Sequence, residues 1–345
     1  MNRYYISTVA ALAAMLSACT SSELEPTITA DNDAIEFGTY VDMQSRALEK
    51  STFSEGDKIC INAFQSEGTS VGKDFTANFM ENETLTKTAS GWTYANPKFW
   101  PMNSVDRISF VASHPYIAPT IAAGICTFPF EVNANPAAQT DLLWSTITDA
   151  NRDDRNGTHQ NGVLETPATS PRDNVVLHFR HALSKVVFNA KAATYYNGTT
   201  ITITDIAVKN LYAKGSYSLT KNLEKGSWTL EGEANNGYTI LTGGTDTAID
   251  TRLKSFGTSL LMIPQTLSTD AATAPTVTIK YTVTYSNPNK TVNEERTFNL
   301  ATDKITVWEQ NNAYNYNFNI TLDMITFDAV IENWDGTDDS EISVN

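Results

Sequence analysis

Cys19 is the residue whose setting carries the clearest chemistry. It follows Leu16, Ser17 and Ala18, which close an apolar stretch running from Ile6 to Leu16 just after Arg3. A stretch this short does not span a bilayer as a stable helix. A basic residue before it and small residues after it give the pattern of a secretory signal, and small residues leading into a cysteine make a lipobox. Cleavage before such a cysteine leaves its sulfur to receive a diacylglycerol, so Cys19 is expected to become the acylated first residue of the mature chain, anchored in a membrane. Each buried methylene contributes about 0.8 kcal/mol, so several acyl chains make an anchor that does not readily leave. Residues 1–18 therefore read as a lipoprotein signal peptide. Residues 19–33, with Ser21, Ser22, Glu23, Glu25 and Pro26, read as a flexible tether.

Other residue types that do chemistry are present without the spacing it needs. His178 and His181 are three apart, which on a strand sends them to opposite faces, and no third ligand is placed; no metal is expected. Asp149, Asn151 and Asp153 begin like a calcium loop, but its sixth position is Asp154 rather than glycine and its twelfth is Gln160 rather than glutamate. No glycine-rich phosphate loop leads from a strand into a helix, and no nucleophile elbow or reactive-cysteine setting appears, so neither a cofactor nor an enzyme is expected. Cys60 and Cys126 remain after lipidation. A disulfide permitted by export and two buried thiols are both open readings. Trp92, Trp100, Trp144, Trp228, Trp308 and Trp334 raise the alternative of a surface lipoprotein that stacks glycans without polymerising, although large aromatics within strands usually fill cores.

Charge narrows the partners. The formal net charge is −15, and loss of Arg3 with the signal peptide makes it −16 (−15 − 1). Phosphate binding needs a basic surface, so nucleic acid is excluded as a partner.

The elements that must position these residues are strands. From Asp33 onward the chain alternates apolar and polar residues in short runs broken by Gly, Asn, Asp and Pro, with no sustained helical period. Ile35, Phe37, Thr39 and Val41 share one face of a first strand. Ile59, Ile61 and Ala63 do so in a second, and Ile108, Phe110 and Ala112 in a third. Later strands are expected over 175–183, 186–190, 200–208, 260–263, 277–285 and 314–322. Residues 149–172 interrupt the pattern with Arg152, Asp153, Asp154, Asn156, Gly157, Pro167 and Pro171, which places a domain boundary near Asn174. The counts give an all-β chain with two sandwich domains, 34–173 and 174–345.

Several landmarks fall in one order: Arg46 and Ala47 after the first strand; Phe53, Gly56, Asp57 and Ile59; Trp92, Phe99, Trp100 and Pro101; His114 and Pro115; Asp141 to Leu143; Phe179 and His181 to Leu183; Ile263 to Gln265; then Trp308, Tyr314, Tyr316, Phe327 and Trp334. This order resembles the fimbrillin-like (Mfa-like) lipoproteins of Bacteroidales, the family of major and minor fimbrillins, over essentially the whole mature chain. The resemblance implies two tandem transthyretin-like β-sandwich domains after a lipoprotein signal peptide. It also implies a subunit of a cell-surface fimbria, displayed through lipid on Cys19, partnered by other fimbrial subunits and contributing to adhesion to a host or bacterial surface ligand. Family subunits are cut by an arginine-specific protease after the first strand, and Arg46–Ala47 stands where that cut would fall.

The cut has its own physical logic. Removing Ile35, Phe37, Thr39 and Val41 would leave an unpaired edge above an apolar trough, which a neighbour's strand would fill. Two candidate donors are visible: Ile325, Phe327, Ala329 and Ile331 on one late face, and Ile342 and Val344 in the short acidic tail with Asp335, Asp338 and Asp339. Asp246, Thr247 and Ala248 also match a short O-glycosylation pattern of Bacteroidales proteins.

Overall fold

The computed structural model of the protein describes residues 34–41, 53–66, 79–103, 105–155, 158–159, 174–220, 225–234, 236–243, 247–322 and 324–334. Cys19, Arg46, Ala47, Asp246 and the tail from Asp335 lie outside them. Among the described residues the structure is all-β: no α-helix occurs, and a single 3-10 turn, Pro136–Ala138, starts on the Asn135 side chain.

The first sheet has the order Glu36–Val41, Asn174–His181, Leu143–Ala150, Arg107–His114, Lys58–Ser66, Met80–Thr88 and Gly91–Thr93, with Thr158–His159 on one side. Its two ends approach each other, so the sheet rolls around its own core. Inside lie Ile59, Ile61, Phe110, Ile147, Leu177 and Phe179, all without solvent exposure. The opposite face is also covered. Phe64, Val111 and Trp144 pack against a second sheet, Ser227–Glu231, Lys214–Thr220, Ile125–Glu131 and Thr120–Ala122. Trp144 and Tyr217 mark that contact, with ring centroids 6.1 Å apart.

The rest of the chain builds a sandwich. One layer runs Lys254–Ser255, Ser184–Ala192, Asn312–Ile320 and Ile325–Asn333, and the other runs Asn236–Thr242, Thr199–Leu211, Thr276–Ser286 and Asn289–Asn299. Strict alternation drives the packing. Tyr314, Tyr316, Phe318 and Ile320 are buried while the residues between them are only half-buried. Phe298 bridges the layers, 5.7 Å from Phe318 and 4.9 Å from Phe327.

Two pairings cross the division expected near Asn174. Asn174–His181 sits within the first sheet, and Ile125–Glu131 pairs with Lys214–Thr220. The first follows from a strand buried on both faces: Val175, Leu177 and Phe179 enter one core, while Val176 and His178 are buried on the other side.

Candidate functional site

The site of interest is the groove that holds the first strand. Ile35, Phe37 and Val41 point into the rolled core and are 1%, 4% and 4% exposed. Phe37 meets Tyr94 and Phe110 edge-on, each 5.7 Å between centroids. On one side the strand pairs in parallel with Asn174–His181, from Glu36 opposite Asn174 to Val41 opposite Phe179. Parallel neighbours cannot be joined by a tight hairpin, so the strand is inserted from a distance rather than folded back from its neighbour.

Its other side is held by a different kind of contact. The Ile35 amide donates to the Lys98 carbonyl at 2.7 Å, the Tyr94 hydroxyl donates to the Ile35 carbonyl at 2.9 Å, and the Lys98 amide donates to the Tyr94 hydroxyl at 3.0 Å. Trp92 Nε1 donates to Thr39 Oγ1 at 3.0 Å, which accounts for the half-buried position of Thr39. Ala34 forms an isolated bridge with Phe99. The segment 92–99 thus closes the groove mainly through side chains. Trp92, Tyr94 and Lys98 were not singled out as groove residues by the sequence, because nothing local ties them to residues some sixty positions earlier.

The chain re-enters the described structure at Phe53. Its ring lies against Trp92 at 5.1 Å, His114 at 5.2 Å and Phe179 at 5.3 Å. Val41 and Phe53 are therefore fixed points on either side of the segment that contains Arg46 and Ala47.

The other candidate residues are placed as follows. Cys60 and Cys126 are free thiols and both buried, which selects the second of the two readings left open. Burial pushes each thiol up to about 12. His178 and His181 are both buried, and His181 Nδ1 is bonded to Asp141 Oδ2 while its ring stacks on Trp334 at 3.9 Å. Among the described residues no cluster of three or more metal-ligating side chains forms. Asn151 Oδ1 accepts from the amides of Asp153 and Asp154, both at 2.8 Å, so the calcium-like stretch is a turn closed on itself. None of the six tryptophans is exposed: Trp100, Trp144 and Trp308 are buried, and Trp92, Trp228 and Trp334 half-buried. Thr247 is 6% exposed, so its hydroxyl is not offered for glycosylation. Ile325, Phe327 and Ala329 face their own core in the strand Ile325–Asn333, which pairs with Asn312–Ile320, and Ile331 is exposed.

The fold and groove define a class: an all-β protein in which one strand, inserted in parallel, seals a core built by strands distant in sequence. A fimbrillin-like family model matches residues 45–334, and the chain belongs to that family. Fimbrium subunit Fim1C of Phocaeicola vulgatus is 24% identical over 189 residues, covering 50% of this chain and 47% of that protein. The match thus spans about half the length of the curated relative. Two crystal structures share the fold. A fimbrial protein from Bacteroides vulgatus has 19% identity and a TM-score of 0.55 over 87% of this chain and 99% of its own. A cell-adhesion candidate from Bacteroides uniformis has 18% identity and a TM-score of 0.51 over 87% and 98%.

Proposed function

We propose that this chain is a structural subunit of a cell-surface fimbria. It is exported as an outer-membrane lipoprotein through Cys19, cut between Arg46 and Ala47, and joined to other fimbrial subunits by strand exchange. Membership of the fimbrillin-like family and a relative named as a fimbrium subunit support the fimbrial role. In this reading the chain works as two β-sandwich lobes, 34–173 and 174–345, with the second lending Asn174–His181 to the first.

The observation that carries the assembly mechanism is the first strand. Three side chains fill a core, the pairing partner is parallel, and the opposite side is sealed by side chains rather than by a continuous ladder. Burying those three contributes about 1.5–3 kcal/mol each. A strand from a neighbour with the same alternation gains the same burial, so its joint would be strong. An uncut chain occupies its own groove and cannot accept one. Proteolysis is then the switch that turns a self-complemented monomer into an acceptor.

Limited digestion with an arginine-specific protease tests this. Cleavage is expected first after Arg46, followed by oligomers that resist mild denaturant. An Arg46→Ala variant that polymerises as the parent does would remove the switch.

A further inference from the structure

Among the described residues ten large hydrophobic side chains are exposed, and six of them collect in two places. Phe99, Met102 and Val105 lie shortly before the strand Arg107–His114, with Met102 94% exposed. Tyr195, Leu253 and Met324 lie in three loops of the sandwich, with Tyr195 78% exposed.

Each set stands at an outer end. The chain passes from the first sheet into the sandwich at Ala182 and Leu183, between the strands Asn174–His181 and Ser184–Ala192. Register sets His114 opposite Leu143 and Leu143 opposite His181, so that end of the first sheet adjoins the passage. Ile108 opposite Ala150, and Glu36 opposite Asn174, form the far end, where Phe99 is bridged to Ala34. In the sandwich, Ala192 and Ile320 are register partners at the strand ends away from the passage. The Ala192 amide donates to the Asp250 carbonyl at 2.7 Å, and the Ala193 amide donates to the Ile320 carbonyl at 2.9 Å. These bonds gather the loops 193–198, 250–253 and 321–324 at one end.

Single exposed apolar residues need no explanation, but several on adjoining loops mark an interaction site. Two unlike sites at separate ends of one chain make a head-to-tail contact, which repeats as an open array, whereas a self-complementary patch closes into a pair. Charge separates the two cases. The sandwich end carries Lys191, Arg252, Lys254 and Lys290 beside Asp250, in a chain of net charge −15. Two sandwich ends set together would repel. The first-sheet end carries both signs: Asp153 and Asp154 follow Ala150 together with Arg152 and Arg155, and Asp106 precedes Arg107.

We propose that the sandwich end of one chain seats on the first-sheet end of a second copy, with Tyr195, Leu253 and Met324 meeting Phe99, Met102 and Val105. The inference rests on the fimbrial reading only in that copies stand in line; it needs neither the cut after Arg46 nor the exchange of a strand. A copy seated there stands beside Ala34, where the first strand begins, and so aligns two subunits before any strand is replaced. Three side chains from each end cover less than the roughly 1,200 Å² of a stable interface, so the contact is reversible and dissolves on dilution.

Cross-linking between chosen positions tests this in the uncut chain beginning at Thr20, which keeps every described residue. Cys60 and Cys126 are buried, so a cysteine introduced on the surface is the reactive one. In concentrated solution a short bismaleimide should join Met102→Cys chains to Met324→Cys chains about fivefold faster than it joins either to itself. Adding Tyr195→Ser and Leu253→Ser to the second partner should lower that yield about fivefold at an unchanged melting temperature. Thr297→Cys, exposed on the strand Asn289–Asn299, gives the background of random collision. Unlike pairs joining no faster than this background, or like pairs joining as fast as unlike ones, would overturn the proposal. So would flotation of the parent with phosphatidylglycerol vesicles that Met324→Glu abolishes, because the sandwich end would then dock on a membrane. Any of these results leaves strand exchange standing, and an Arg46→Ala chain that polymerises as the parent does leaves this contact standing.

Discussion

Phe37 stands where the first strand enters its core, between Tyr94 and Phe110. Phe37→Ala is expected to destabilise the chain by about 3–5 kcal/mol, the range for deleting a buried ring. The midpoint of urea unfolding measures it, and a shift under about 1 kcal/mol would show that the strand is loosely held. A second prediction concerns pH. Burial raises Cys60 and Cys126 from 9.0 to about 12 and Tyr238 from 10.0 to about 12. The unfolded chain gives up these protons first, so the stability they hold is complete below about pH 9 and is lost as pH climbs toward 12. Unfolding curves across that window should show a steady fall, shallower in a Cys60→Ala, Cys126→Ala variant; a profile flat to pH 12 would contradict the burial. At this scale alternation made Ile35, Phe37 and Val41 legible as inward residues, while His181 was legible only as lacking the spacing of a metal ligand. Asp141 as its partner was not legible, because forty residues of intervening chain say nothing about which carboxylate arrives.

At the scale of elements, the proposed strand exchange treats the first strand as a ligand that is covalently attached. A chain beginning at Ala47 should bind a synthetic peptide spanning Ala34–Asp42 and not one with Phe37 and Val41 replaced by Ser, as fluorescence polarisation of a labelled peptide can show. Equal binding of the two peptides would mean that the groove does not read the inward side chains. The strands that the sequence revealed are those with sharp alternation, such as Thr199–Leu211 and Thr276–Ser286. Those it did not reveal carry weak or partial patterns. Met80–Thr88 buries only Met80 and Leu85, and Asn289–Asn299 is an exposed edge bearing Lys290, Glu294, Glu295 and Arg296, charges that discourage edge-to-edge pairing. Parallel pairing of Glu36–Val41 with Asn174–His181 was equally hidden, since pairing partners are set by the assembled core and not by either strand alone.

At the scale of the molecule, the two halves share more than their sequence suggests. Ile125–Glu131 and Lys214–Thr220 pair across the division, and Trp144 packs on Tyr217 where the sheets meet. Turn-rich composition over 149–172 breaks the alternation of the sequence, but composition cannot reveal that the strand Asn174–His181 returns to the first sheet. The proposed lipid anchor has a direct test: Cys19→Ala should leave an uncut precursor absent from the cell surface, and normal surface display of that variant would remove the anchor from the account.

The most direct measurement separates cutting from strand displacement. Gly38 and Val176 are register partners, and a Cβ on Gly38 would lie 3.7 Å from Val176 Cγ2. A Gly38→Cys, Val176→Cys variant, oxidised to a disulfide and then cut after Arg46, keeps its first strand pinned in the groove. Sedimentation should find it monomeric, and adding a reductant should release polymerisation to the level of the cut parent chain. Polymerisation of the oxidised, cut variant at the parent's rate would contradict the claim that subunits join by replacing this strand.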